Sequence, residues 1–238
     1  MGAACFPVID VVPTHVAGPP ASRCVAVPAL DAWRVTPRPL YGATKRALDV
    51  TLSLLLLCLL APLLLLVAAS IRLEDGGPAL FWQWRAGLGG RRFRFYKFRS
   101  MCVDAERQRD ALRVKEECHS PRFKMKHDPR VTRTGRWLRR FSLDEIPQLW
   151  NVIVGDMSLV GPRPALLEEV AEYEPHHRRR LDVAAGVTCI WQVSGRSAIS
   201  FEQQVELDLN YIRKRSLLLD LQILVITVPA VLSGRGAY

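Results

Sequence analysis

Two long apolar runs stand out from a chain that is otherwise rich in charge. The first covers residues 50–71, has Pro62 near its midpoint, and is flanked by Lys45 and Arg46 before it and by Arg72 and Arg85 after it. At about 1.5 Å per residue, a helix over this run just reaches across a ~30 Å hydrocarbon core. Length alone therefore admits a straight membrane span. Pro62, however, deletes a backbone donor and bends a helix, and positive residues prefer the cytoplasmic side of a bilayer. A helix that dips in, kinks at Pro62 and returns to the same face satisfies both basic flanks, which a straight span does not. The pattern predicts a re-entrant membrane helix over 41–73. The second run, residues 217–232, is interrupted by Asp220, Gln222 and Pro229. It is expected to lie at a membrane surface or in the core.

Between these runs the period shortens to two. Residues 93–99 alternate aromatic with basic (Phe93, Arg94, Phe95, Tyr96, Lys97, Phe98, Arg99), which predicts a strand with one cationic face. Residues 79–84 form a short aromatic run, a strand or a surface-lying segment, and Gly87, Gly89 and Gly90 mark a turn. Further on, the pattern predicts a solvated helix over 104–117, broken by His119-Ser120-Pro121. A loop over 128–135 leads into a helix at 136–141. Helices are also expected at 165–180 and 201–215, with a turn carrying Arg196 at the end of 191–196. The run from His176 to Arg180 reads as a cationic helix end, since adjacent histidines do not ordinarily converge on one ion.

Residues 1–40 carry Pro7, Pro13, Pro19, Pro20, Pro28, Pro37 and Pro39 among small residues, with no helical or strand period. They are expected to form a flexible leader. No signal peptide is expected, because a basic segment followed directly by an apolar core is missing there. The organisation predicted is a leader (1–40), a membrane helix (41–73) and a catalytic domain with membrane-surface helices (74–238). The fold class is α/β and mainly helical: a monotopic membrane protein with short β-strands and surface-lying amphipathic helices.

Composition sharpens this picture. Hydrophobic residues make up 49% of the chain and the mean hydropathy is +0.07 despite 24% charged residues, which fits a membrane-associated protein with a polar body. The formal charge is +10 and the pI about 9.7. That balance implies an anionic partner: acidic lipid, a phosphorylated substrate or nucleic acid. The six cysteines include no C-x-x-C and read as reduced thiols.

The densest chemistry lies in residues 138–164, LRRFSLDEIPQLWNVIVGDMSLVGPRP. Adjacent carboxylates, Asp144 and Glu145, stand among arginines and ahead of a Gly-Pro-Arg-Pro turn. A carboxylate can attack phosphorus or hold a metal while arginines bind the anionic substrate. A structural explanation competes. Ser142 to Glu145 also fits a helix capping box with Pro147 near the helix start. The two are compatible, because a helix N-terminus keeps a carboxylate ionised and attracts phosphate. Neither a P-loop nor a dinucleotide fingerprint occurs, and H-E-x-x-H, paired C-x-x-C and G-x-S-x-G are also missing. Asp144 and Glu145 with their cations remain as the reactive set, and carboxylates beside phosphates suit Mg2+.

From about residue 45 onward the chain resembles the bacterial sugar transferase family, the monotopic polyprenyl-phosphate sugar-1-phosphate transferases. The resemblance rests on KRALDV, the Pro62-containing apolar helix, GGPALFWQWRAG, FRFYKFRSM, DPRVTRTGRWLRRFSLDEIPQLWNVIVGDMSLVGPRP, WQVSGRS, ELDLNYIRKRSLLLDLQIL and the terminal GAY. It is nearest to stand-alone members that start exopolysaccharide repeat units. It implies a re-entrant helix and a site on the cytoplasmic face of the bacterial inner membrane. The implied chemistry passes a hexose 1-phosphate from a UDP-sugar to undecaprenyl phosphate through a phospho-aspartyl intermediate, with Mg2+, and releases UMP. It also implies roles: Asp144 as nucleophile and Mg2+ ligand, and Glu145 as its acid/base partner. Lys97, Arg139 and Arg163 would bind phosphates, Arg196 would lie towards the nucleotide, and Asp208 would support the site. A homodimer is compatible with the resemblance. Two departures stand out: Ala61 precedes Pro62 where the family usually has Ser, and Ala185-Gly186-Val187-Thr188-Cys189 replaces a Pro-Gly-(Ile/Leu)-Thr-Gly block. Two other classes compete. A nucleic-acid binder explains the charge and not the acid pair or the turn, so no nucleic-acid partner is expected. A non-catalytic scaffold of a polysaccharide assembly complex gives no purpose to keeping both acids and their cations.

Overall fold

The computed structural model describes residues 5–7, 24–26, 38–108, 128–194 and 199–234. Its longest element is helix α1, Pro39–Asp75, 37 residues. Proline at the first helical position loses no hydrogen bond. The helix stops at Gly76, whose φ of +70° lets its N–H return to the Arg72 carbonyl at 2.9 Å. Among the described residues it is the one helix long and apolar enough to cross a membrane, with a mean hydropathy of 2.9 in its most apolar stretch. Pro62 lies inside it.

Both ends of α1 are fastened to one body. Near its start, Asp49 accepts hydrogen bonds from Ser158 Oγ at 2.7 Å and from the Leu159 N–H at 3.2 Å. Lys45 Nζ lies 3.1 Å from Asp220, a carboxylate that also accepts from the Tyr41 and Tyr211 hydroxyls. Arg46 donates to the Val152 and Ile153 carbonyls. Near the other end, Val67 and Ile71 pack with Ala79, Phe98 and Leu138. There Glu74 accepts from the Arg133 and Thr134 N–H groups, and Asp75 pairs with Arg99. Leu54, Leu55, Leu59, Leu65 and Leu66, between the two fastened ends, are exposed.

Strands β3 (Leu80–Ala86) and β4 (Arg92–Phe98) form an antiparallel hairpin in which Phe81 faces Lys97 and Arg85 faces Phe93. The aromatic run of 79–84 is thus a strand. The period of two holds in β4: Phe93 and Phe95 are buried, Arg92 and Arg94 exposed. Three further strands appear in chain order after the helices next named. Helix α2 is Arg133–Arg140 and helix α3 is Gln148–Val154. Strand β5 (Met157–Val160) pairs in parallel with β7 (Ala185–Thr188), and the two-residue strand β6 (Ala165–Leu166) adds to β3. The main core gathers Phe93, Phe95, Leu149, Val152, Met157, Leu159, Val160, Tyr211, Ile212 and Ile223.

Several expectations are corrected. The helix expected over 165–180 is split into β6, a short helix α4 (Leu167–Ala171) and a 3-10 segment, His177–Asp182; Pro175 interrupts it, having no N–H to carry a helix on. The helix expected from 136 begins at Arg133, where Thr132 accepts from the Gly135 N–H at 2.9 Å. Residues 191–194 belong to helix α5 (Ile190–Ser194), and the turn expected to carry Arg196 lies outside the described residues. The amphipathic helix over 201–215 is α6, Phe201–Lys214. The polar helix over 104–117 is described only to residue 108, and the break at 119–121 lies outside the described residues. Within the leader, Cys5–Pro7 (β1) pairs antiparallel with Cys24–Ala26 (β2), strands too short to betray a period of two. The second apolar run is helix α7, Leu217–Ser233. Asp220, the charge that interrupts that run, is buried and docks the helix, while Leu218, Leu221, Val225, Val228 and Leu232 stay exposed.

Candidate active site

The acid pair sits where the chain reverses between α2 and α3. Gly135 sets the approach: a Cβ there would lie 2.0 Å from the Ser100 carbonyl oxygen, so only glycine lets α2 come this close to the end of β4. Arg139 is one helical turn on, on the same face, and its Nε donates to Ser100 Oγ at 3.0 Å. Ser142 then adopts φ +52°, the one non-glycine residue at positive φ among the described residues. This strained turn directs the 3-10 segment Leu143–Glu145 back towards the hairpin.

That geometry overturns the capping box. Ser142 makes no side-chain cap, and Glu145 bonds Arg163, whose Nη2 donates to Glu145 Oε1 at 2.6 Å, instead of turning back to the Ser142 N–H. Helix α3 begins only at Gln148, beyond the pair, with Pro147 at its cap. A helix N-terminus therefore does not hold Asp144 ionised. Burial, and then the neighbouring Glu145 charge, push Asp144 up to about 6, against the opposing pull of Lys97, Arg139 and Arg163. For Glu145 burial acts upward too, but Arg163, Lys97 and Arg85 together outweigh it and hold this carboxyl below its ordinary range. The two acids are thus driven apart. Among the described residues Asp144 has no hydrogen-bond or ion-pair partner, whereas Glu145 is tied to Arg163.

Four cations face the pair. Lys97 comes from the inner face of β4, over the Phe81 ring at 5.3 Å, and burial brings its ammonium down to about 8. Arg139 comes from α2, its guanidinium likewise lowered by burial. Arg163 comes from the Gly-Pro-Arg-Pro turn. Arg85 comes from β3; in the sequence it stands only as a flanking positive charge. Its guanidinium donates to the Pro164 carbonyl and to Gln83 Oε1, both at 3.1 Å, while burial and then Arg163 bring it down to about 10. The period-two alternation of the hairpin is the signal that could have found it, since Arg85 and Lys97 share a face of that hairpin.

The turn bearing Arg163 is held by a close backbone crossing. A Cβ on Gly186 would lie 2.1 Å from the Gly161 nitrogen. Gly161 N–H donates to the Thr188 carbonyl at 3.1 Å and Gly186 N–H to the Pro162 carbonyl at 2.8 Å. The departing block 185–189 thus keeps the glycine that the crossing requires.

Asp208 stands apart from the pair. It is buried on α6 and accepts from Arg180 at 2.8 and 2.7 Å, while Arg180 also donates to the Tyr173 hydroxyl. Its carboxyl is raised to about 6 by burial, and Cys189 lies within electrostatic reach of both Asp208 and Arg163. The Arg180–Asp208 contact fastens the 3-10 segment to α6. Arg196 lies outside the described residues. The adjacent histidines do converge, contrary to expectation, with Glu202. His177 Nδ1 accepts the Glu174 N–H at 3.2 Å, which leaves the ring proton on Nε2, 3.2 Å from Glu202. In this arrangement the three side chains form a hydrogen-bonded clasp.

The family model described as bacterial sugar transferase matches residues 40–234. The chain belongs to the bacterial sugar transferase family. Among its relatives, it is 44% identical over 194 residues to the galactosyl transferase CpsE of Streptococcus agalactiae, covering 81% of this chain and 43% of that one. It is 40% identical to the exopolysaccharide production protein ExoY of Sinorhizobium fredii, covering 84% and 91%. It is 38% identical to an undecaprenyl-phosphate galactose phosphotransferase of Salmonella typhimurium, covering 82% and 41%. The chain thus spans less than half of two of these relatives and nearly all of the third. The family match takes in α1, the hairpin, the acid pair and the arginine turn.

Proposed function

We propose that this protein transfers a hexose 1-phosphate from a UDP-sugar to undecaprenyl phosphate, releasing UMP, as the first step of building an exopolysaccharide or other surface glycan. The observation that carries it is the division between the acids: Asp144 unpaired and raised, Glu145 clamped by Arg163, with four cations around them. Mg2+ fits this donor set, because Asp144 offers a free carboxylate beside the place a diphosphate would occupy. When bound it supplies charge neutralisation at the phosphate oxygens. Asp144, ionised, attacks the sugar-bearing phosphorus; the bond from that phosphorus to the bridging oxygen breaks, and UMP leaves with the electron pair. An oxygen of undecaprenyl phosphate then attacks the same phosphorus, the acyl-phosphate bond breaks, and the Asp144 carboxylate is restored. Glu145 accepts and returns any proton carried by the incoming or leaving phosphate. Lys97, Arg85, Arg139 and Arg163 hold the phosphate oxygens; for Arg196 the family resemblance implies a role at the nucleotide.

For the membrane part we infer a re-entrant α1 in the inner membrane, with the catalytic body on the cytoplasmic side. What supports it is that one body fastens Asp49 at one end of the apolar stretch and Val67, Ile71 and Glu74 at the other, leaving the leucines between them bare. Single cysteines at Ala43 and Leu73, near the two ends of α1, allow a topology test: a membrane-impermeant reagent should reach both from the same face if α1 turns back within the bilayer, and from opposite faces if it spans.

The deciding experiment is UMP release by the reconstituted protein with undecaprenyl phosphate, Mg2+ and a panel of UDP-sugars, with Asp144→Asn alongside. One sugar should yield UMP with the parent and none with the variant. Release that is unchanged in Asp144→Asn removes Asp144 as nucleophile, and no release with any sugar from folded protein returns the scaffold reading.

A further inference from the structure

The catalytic hairpin has a second face that the proposed chemistry does not use. Alternation sends Phe81, Gln83, Arg85, Phe93, Phe95 and Lys97 inward and leaves Leu80, Trp82, Trp84, Arg92 and Arg94 outward. Trp82 and Trp84 are 46% and 38% exposed, edge to face at 5.7 Å. Arg94 lies over both rings, at 5.0 and 5.7 Å, and Arg92 lies over Trp84 at 5.4 Å. Among the described residues neither arginine has a carboxylate partner. Exposed paired tryptophans under unneutralised guanidinium groups mark a surface meant to be covered.

We propose that this face rests on the headgroup layer of an acidic bilayer. Two observations single out that occupant. Phe98 belongs to the same face of β4, and it packs under Val67 and Ile71 of α1, so the face opens towards the side from which the apolar helix departs. The second is complementarity: tryptophan rings concentrate at the membrane interface, and each nearby arginine gains from anionic headgroups. Because the other face of the same two strands carries Lys97 and Arg85, docking the outer face fixes the height of the phosphate-binding cations above the headgroup layer. The inference rests on the membrane reading of α1.

The test uses the full chain with its native cysteines replaced, reconstituted in vesicles of phosphatidylcholine with or without phosphatidylglycerol. An environment-sensitive probe is placed by Leu59→Cys in α1 or, separately, by Trp84→Cys on the outer face. Lipid-borne quenchers should reach both probes. Quenching at position 84, and not at 59, should fall on omitting phosphatidylglycerol or on Arg92→Gln with Arg94→Gln, the preference for acidic lipid dropping on the order of tenfold. Quenching at 59 with none at 84 overturns this proposal and leaves the membrane reading standing. No quenching at either site defeats the membrane reading itself. A probe at 84 shielded from lipid and from aqueous quenchers alike, or protected by an added single-stranded oligonucleotide, assigns the face to a second copy of the chain or to nucleic acid and overturns the proposal.

Discussion

Replacing Arg163 by Gln tests the division of labour between the two carboxylates. The substitution keeps the reach of the side chain and removes its charge. Glu145 would lose a 2.6 Å charge-assisted hydrogen bond in a place where the two side chains are 29% and 21% exposed. Breaking a fully buried pair costs about 3–5 kcal/mol and an exposed one about 0.2–1 kcal/mol, so a loss of about 2 kcal/mol in stability is expected here. Activity should suffer more, since removing one donor aimed at developing charge lowers turnover by about 10²–10³. The pH profile carries the sharper signature. Arg163 acts on both acids towards the ionised form. Without it the pair binds protons more tightly, so the acid limb of kcat/KM for UMP release moves to higher pH. Thermal unfolding in detergent separates the stability loss from the kinetic one. A variant with an unshifted acid limb and undiminished kcat/KM would falsify the assignment of Arg163 to Glu145 and the phosphates.

In the parent protein, kcat/KM should rise through pH of about 6 as Asp144 ionises and fall through about 8 as Lys97 loses its proton; an acid limb near 4 would show that burial does not control Asp144. Arg180→Met leaves the Asp208 carboxylate buried without its cation and should cost about 3–5 kcal/mol in thermal or denaturant unfolding, with Asp208→Asn added on top restoring part of the loss. Gly186→Ala drives a methyl into the Gly161 backbone and should destabilise by roughly 2 kcal/mol or more. Gly42→Ala, where a Cβ meets nothing within 4 Å, should be neutral or stabilising by up to about 1 kcal/mol; equal effects from the two would argue against the glycine crossing.

What the sequence determined by itself was whatever depends on neighbours along the chain. An unbroken apolar run with one internal proline specifies α1, because hydropathy and the missing proline N–H act locally. Alternation of aromatic and basic residues specifies β4, since successive strand side chains point to opposite faces. The Asp144-Glu145 pair and the Gly-Pro-Arg-Pro turn were legible as chemistry for the same reason. Tertiary structure decided the rest. Arg85 looked like a membrane flank and became part of the cation ring only because β3 pairs with β4 in a register that sets it on the face of Lys97. Ser142 looked like a helix cap and proved to be a left-handed turn, since Glu145 is drawn to Arg163, 18 residues away. Asp208 is expected to support the site, and its bond to Arg180, 28 residues distant in sequence, is one that no local pattern shows. The split between the acids also escaped the sequence, because burial and the placement of four cations from separate elements set it. Local pattern chooses the elements, and long-range electrostatics and packing choose which of their side chains meet.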